Sequence, residues 1–221
     1  LSTFAQPSYR YDRIRELLLD SNKHTALTMG EIQLDVVSGQ ARKLVPILLP
    51  LLPEGTIRRA LLNWDYSYGA NSAGAHPFQL VYHAARSVAA NELGGEWMHS
   101  MIRTTELAHW WCTGFDRLLA SPEFWTENRK VQFKTKMENL DRVDLLPWGK
   151  AQQFEMPHLV FGGLPTAFGF DESLGPLAGS IGTVCQGASI PAGGGDVILG
   201  PAYRMICDFG GDGILSAMPG G

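Results

Sequence analysis

The 221 residues, 45% hydrophobic and 18% charged, are enough to bury a sizeable core as one domain or two small ones, and the composition excludes general disorder. A formal net charge of -4, with no dense cluster of Lys and Arg, excludes the basic footprint of a nucleic-acid binder. The longest apolar run, 44–52, is interrupted by Pro46 and Pro50 and is too short to span a bilayer, so neither nucleic acid nor a membrane is expected as a partner.

The chain starts at Leu1 with neither an initiator Met nor a basic-then-apolar leader, so Leu1 reads as a boundary rather than a natural beginning. From about residue 9 to 140 apolar residues recur at helical spacing. Ile14, Leu17 and Leu18 form one face of a first helix. Arg10 stands at the start of that helix, where the dipole favours acids, and an ion pair with Asp12 or another acid is the plain account of it. Thr28-Met29-Gly30-Glu31 has capping-box spacing and predicts a second helix beginning there, with Ile32, Val36 and Val37 inward and a bend or stop near Pro46. Further helices are predicted over 56–64, 77–90 and 97–119. Ser121-Pro122-Glu123 then combines an N-cap, a proline at the first helical position and an early acid, the cleanest start signal in the chain.

After about residue 146 Gly and Pro become dense and short β-prone pieces, 183–185 and 203–209, sit between turns. In the last of these, Tyr203, Met205, Cys207 and Phe209 share one face and Arg204, Ile206 and Asp208 the other, so one side is made to be buried. Helices followed by strands predict an α+β arrangement, with 1–145 mainly helical and 146–221 rich in strands and loops. Cys112, Cys185 and Cys207 are too few and too widely spaced for a disulfide framework or a zinc signature. Cys185 and Cys207 could pair across neighbouring strands, with buried free thiols the favoured reading.

Several motifs suggest chemistry without carrying it. Glu96-x-x-His99 and Glu106-x-x-His109 have di-iron spacing, but on one helix the pairs would lie roughly 15 Å apart, too far to share a cluster. Gly193-Gly194-Gly195-Asp196 lacks the third glycine of a dinucleotide fingerprint and any Walker lysine, which leaves a flexible loop. Ser2 would become an N-terminal nucleophile only if Leu1 were removed, and no Gly-x-Ser-x-Gly elbow is present.

The order of motifs is more specific than any one of them. Tyr9-Arg10-x-x-Arg13-Ile14 is followed by Ile32-Gln33-x-Asp35-x-x-Ser38-x-x-Ala41, Leu62-x-Trp64-Asp65, Trp148-Gly149 and Gly200-Pro201-x-Tyr203-Arg204-Met205-Ile206-x-Asp208. From about Tyr9 to the last residue, this series resembles an internal part of the β-chain of the penicillin acylase (penicillin amidase) family of N-terminal-nucleophile hydrolases. The resemblance implies part of a four-layer αββα fold and hydrolysis of an acyl amide, such as a β-lactam side chain or an acyl-homoserine lactone. It implies a nucleophilic serine whose own α-amine is the base, with an asparagine and backbone amides holding the oxyanion.

In that family the nucleophile lies far before the Tyr-Arg motif and the oxyanion asparagine a short way before it, so both are expected outside this chain, and Ser2 does not match the nucleophile. Arg10 matches an arginine near the nucleophile that helps hold the asparagine and the field around it, and is the catalytic residue carried over. Asp35, Trp64, Asp65, Arg204 and Asp208 are read as structural. Gln152 stands near the place of a family histidine, and His158 resembles the later histidine of that stretch. Calcium is implied for the complete protein, with its ligands before Leu1 and no metal or other cofactor in this chain. The implied partners are the α-chain, the N-terminal region of the β-chain and a small acyl amide, in the periplasm or outside the cell. The chain alone should be inactive, and the rival reading is a non-catalytic scaffold or binding protein that keeps the family fold segment.

Overall fold

Helical spacing in the first part of the chain does produce helices, but their ends are set by side chains that bond to nearby backbone. In the computed structural model, which describes residues 7–104, 108–140, 142–156, 158, 160–161, 164, 168–169, 172–189, 197–199, 203–211 and 213–217, α1 spans Tyr9–Leu19 and α2 Ala26–Gln33. The N-cap of α2 is Thr25, not Thr28. Thr25 leaves the chain extended, its Oγ1 accepts from Thr28 N at 3.3 Å, and Thr28 Oγ1 accepts from Thr25 N at 2.8 Å. The box is therefore Thr-x-x-Thr, one turn earlier than predicted, and Glu31 is an ordinary helical residue.

The helix predicted to run on through Val36 and Val37 is two helices. Asp35 Oδ1 accepts from Val37 N at 3.2 Å and closes a turn, and Ser38 Oγ then caps a new helix by accepting from Ala41 N at 3.1 Å. That helix, α3 (Gly39–Leu48), contains Pro46 and gives way to a 3-10 turn over Leu49–Leu51. Helix α4 (Thr56–Leu62) follows, and then α5 (Ala75–Leu93), which ends at Gly94 and Gly95, both at positive φ. Within the span 97–119 predicted as helix, the described residues form α6 (Glu96–Thr104) and α7 (Ala108–Leu119). Ser121 does not cap a helix: its hydroxyl is engaged by the Glu123 carboxylate, and Pro122–Phe124 is a 3-10 turn. Phe124 and Trp125 are both buried, and α8 (Glu127–Leu140) starts after them.

The central helix α5 buries Phe78, Val81, Ala85, Val88 and Ala89, and packs against α3, α4, α6, α7 and α8 and the short α9 (Trp148–Ala151). After α9 come strands. β1 (Gln153–Met156) pairs antiparallel with β2 (Glu172–Pro176) and parallel with β4 (Val197–Leu199), which pairs antiparallel with β3 (Ala188–Ser189), giving the order β2-β1-β4-β3. A separate hairpin joins β5 (Arg204–Cys207) to β6 (Ile214–Ala217). The strand predicted at 183–185 is a turn, because Thr183 Oγ1 bonds to the backbone of Ser180 on both sides and holds the chain folded there. The architecture is mixed α+β.

A knot of rings joins the helices to the strands. Trp64 and Tyr68 meet edge to face at 5.5 Å, and Tyr68 meets Trp148 at 4.9 Å. Trp148 Nε1 and Gln152 Nε2 both donate to the Gly179 carbonyl, at 2.8 and 3.1 Å, while Gly179 N donates to Tyr68 O. Gly179 has φ 93°, and a Cβ there would stand 2.1 Å from the Cys185 carbonyl oxygen, so no other residue fits. On β5 the side turned towards the body is that of Arg204 and Ile206: Ile206 lies over Gly30 of α2, and Gln33 Nε2 donates to Met205 O at 3.0 Å. The apolar side, with Tyr203, Met205, Cys207 and Phe209, is exposed.

Candidate functional site

Three separate parts of the chain converge at the start of α1. α1 brings Tyr9, Arg10 and Arg13, the turn before α3 brings Asp35, and the 180–187 turn brings Val184 and Cys185. Arg13 grips Asp35 with two parallel bonds, Nε to Oδ1 at 3.0 Å and Nη2 to Oδ2 at 2.7 Å, and Nη1 also reaches Glu16 at 2.9 Å. The paired carboxylates raise the guanidinium's affinity for its proton, and Arg13 in return holds the Glu16 carboxyl below its ordinary range. The Asp35 backbone carbonyl accepts from Cys185 N at 2.8 Å, so the same residue holds α1 and the 180–187 turn together.

Arg10 sits one turn before Arg13 on this seam. It makes no ion pair with Asp12, which instead accepts from Ser8 Oγ at 2.6 Å, nor with any other described acid. Its Nη2 donates to the Val184 carbonyl at 3.4 Å, and its Nε is buried without a hydrogen-bond partner. Arg204 approaches the same turn from β5, with Nη2 3.1 Å from Cys185 Sγ. Two guanidinium groups thus meet the 184–185 segment, one at the Val184 carbonyl and one at the Cys185 thiol, with no carboxylate partner among the described residues, a locally positive site that favours an anion or a polarised oxygen.

Behind Tyr9 lies a residue that sequence reasoning missed. Asp116, on α7, is 2% exposed. Its Oδ2 accepts from Tyr9 OH at 2.9 Å, its Oδ1 from Tyr82 OH at 2.8 Å, and Gln40 Nε2 reaches both oxygens at 3.2 and 3.0 Å. Burial raises the carboxyl's pKa, while the Gln40, Tyr82 and Tyr9 bonds and the charge of Lys43 oppose the rise. No spacing in the sequence signals this cluster, since each donor comes from a different helix than the acceptor.

The other candidates fall apart or stand elsewhere. His99, of the first Glu-x-x-His pair, bonds through Nε2 to Asn91 Oδ1 at 2.6 Å. Glu106 of the second pair, Ser2, and the Gly193 to Asp196 loop lie outside the described residues. Gln152 is buried in the ring knot, and His158 Nδ1 accepts from the amides of Val160 and Phe161 at 3.2 and 3.1 Å in a local turn. Cys185 and Cys207 are both free; Cys185 is buried, whereas Cys207 is exposed, against the reading of both as buried thiols. Asp208 Oδ1 accepts from Gly210 N at 2.9 Å in the hairpin turn. Among the described residues no group of three or more His, Cys, Asp or Glu could hold a metal ion. No described helix is long and apolar enough to cross a membrane.

A search of curated proteins finds no match to the chain. The family model described as penicillin amidase matches residues 1–221 of the chain. With Tyr9, Arg10, Arg13 and Asp35 brought together in the order in which the motifs occur, and with the profile covering every residue, the chain belongs to the penicillin amidase family, whose members are amidohydrolases.

Proposed function

We propose that the chain is part of an amidohydrolase that cleaves an acyl amide, such as a β-lactam side chain or an acyl-homoserine lactone, with an N-terminal serine outside this chain as nucleophile. In this reading the described helices and strands belong to a four-layer αββα fold, completed by an α-chain and the earlier part of the β-chain, in the periplasm or outside the cell. Calcium, if the complete protein binds it, is held by other residues.

The observation that carries the reading is the state of Arg10. Its guanidinium is fixed against one carbonyl, has a buried Nε with no partner, and is balanced by no described acid. A cation held this way acts on an adjacent oxygen or amide donor through its field without itself exchanging a proton, and its effect is strongest where charge grows on an oxyanion in a site closed to water. Arg10 is accordingly a positioning residue that orients and polarises the oxyanion donors.

The test is hydrolysis of chromogenic phenylacetyl and long-chain acyl amides by the complete protein. Arg10→Ala should lower kcat about 10- to 100-fold, less than the ~10²–10³ lost with a direct oxyanion donor. The isolated 221-residue chain should be inactive. Hydrolysis by the isolated chain that survives replacement of Arg10 would refute the assignment, and a complete protein that hydrolyses no acyl amide supports the scaffold reading instead.

A further inference from the structure

Helix α1 carries Arg10 yet buries none of its residues fully. Core packing therefore does not fix its place, and polar ties must. Arg13 to Asp35 holds its middle and Glu16 to Arg42, at 3.0 Å, its later part. The tie next to Arg10 is the hydroxyl of Tyr9 on the buried Asp116 carboxylate at 2.9 Å.

We propose that Asp116 is a positioning residue for Arg10, acting through Tyr9 to set the first turn of α1 and hence the placement of the Arg10 guanidinium. The catalytic consequence rests on the amidohydrolase reading above; the positioning itself does not. A carboxylate on a residue only 2% exposed, without an ion pair among the described residues, is costly, and an apolar side chain of its size would fill the space at less cost. What the carboxylate adds is direction. Its two oxygens gather donors from α1, α3 and α5, so three helices share one acceptor on α7. Tyr9 also lies against the first residue of α3: a Cβ on Gly39 would stand 3.3 Å from both Cβ and Cδ1 of Tyr9, close enough that the tyrosine would have to give by a few tenths of an ångström. The ring is held at its hydroxyl by Asp116 and packed near its Cβ by Gly39, and Arg10 follows it in sequence.

Tyr9→Phe and Tyr82→Phe each remove one hydroxyl from the same carboxylate, but only the first frees α1. Crystal structures of the complete protein should show Arg10 displaced from the Val184 carbonyl in Tyr9→Phe and in place in Tyr82→Phe. Gly39→Ala, which presses on Tyr9 near its Cβ and leaves the hydroxyl in place, should displace Arg10 as well. With a chromogenic acyl amide, kcat should fall about 10-fold in Tyr9→Phe with KM unchanged, and fall less in Tyr82→Phe, whose hydroxyl ties α5, not α1, to the carboxylate. Arg10 in its wild-type place in both Tyr9→Phe and Gly39→Ala overturns the proposal, whatever the rates. Equal kcat in the two phenylalanine variants of an active enzyme also overturns it, and leaves the amidohydrolase reading intact. Displacement of Arg10 in a protein that cleaves no acyl amide upholds the positioning and removes the amidohydrolase reading.

Discussion

A Cβ on Gly74 would stand 2.2 Å from Cγ of Trp64. The indole cannot retreat, because Nε1 is bonded to Ser67 O at 3.1 Å and Ser72 Oγ at 2.9 Å, so Gly74→Ala overpacks the ring knot despite an ordinary helical backbone at that position. It should cost about 1–3 kcal/mol in a urea melt, the usual range for overpacking. Tyr68, in the same knot, is fully buried, and its hydroxyl accepts from Gln79 Nε2 at 2.7 Å. Burial raises its pKa well above the ordinary 10.0. With the folded value above the unfolded one, Tyr68 contributes its full stability below pH 10 and loses it as pH rises further, because the unfolded chain releases the proton first. Wild type should therefore lose stability relative to Tyr68→Phe by about 1.4 kcal/mol per pH unit above pH 10, read from paired melts at pH 9, 10 and 11. At neutral pH the order reverses, with the variant less stable by about 1 kcal/mol for the lost hydrogen bond.

Elements were legible in the sequence where burial decides them. α4 and α5 follow from apolar residues at helical spacing, because a face that must be buried leaves its period in the chain, whereas α1 follows the same spacing with no residue fully buried, and β5 follows from its alternation although its apolar side is exposed. Their limits were less legible. The break at 34–38 is made by Asp35 and Ser38 bonding to backbone amides two and three residues on, and the late start of α8 goes with the Ser121 hydroxyl turning to the Glu123 carboxylate instead of a backbone amide. Neither event has a period, and both compete with helix on equal terms. The inward side of β5 could not be read from polarity, because Arg204 and Ile206 face α2 and the 180–187 turn while Tyr203 and Met205 face out. Arg10 was reachable from the order of the family motifs. Asp116 was not, since its partners stand 107, 76 and 34 residues away along the chain.

Across the molecule, the residues that carry the family pattern are its joints. Arg13 and Asp35 clamp α1 to the turn before α3, Ser38 restarts the helix, Trp64 and Trp148 hold the ring knot, and Arg204 reaches the 180–187 turn. Arg13→Met should cost about 1.5–3 kcal/mol, the range for hydrogen bonds to charged groups, because it leaves Asp35 half-buried without its cation. Arg13→Met combined with Asp35→Asn should cost less than the sum of the two single changes, a coupling that denaturant melts of the four proteins would measure. A different consequence follows from where the long helical excursion begins and ends. Trp148 N donates to Ser72 O at 2.9 Å and Gly149 N to Ala70 O at 2.7 Å, so the chain leaves for α5 to α8 and comes back to the spot it left. The two ends of that excursion are stitched to each other whatever lies between them, which makes it a cassette: evolution or an engineer can lengthen, trim or exchange its outer part while the frame that carries Arg10 keeps its connectivity.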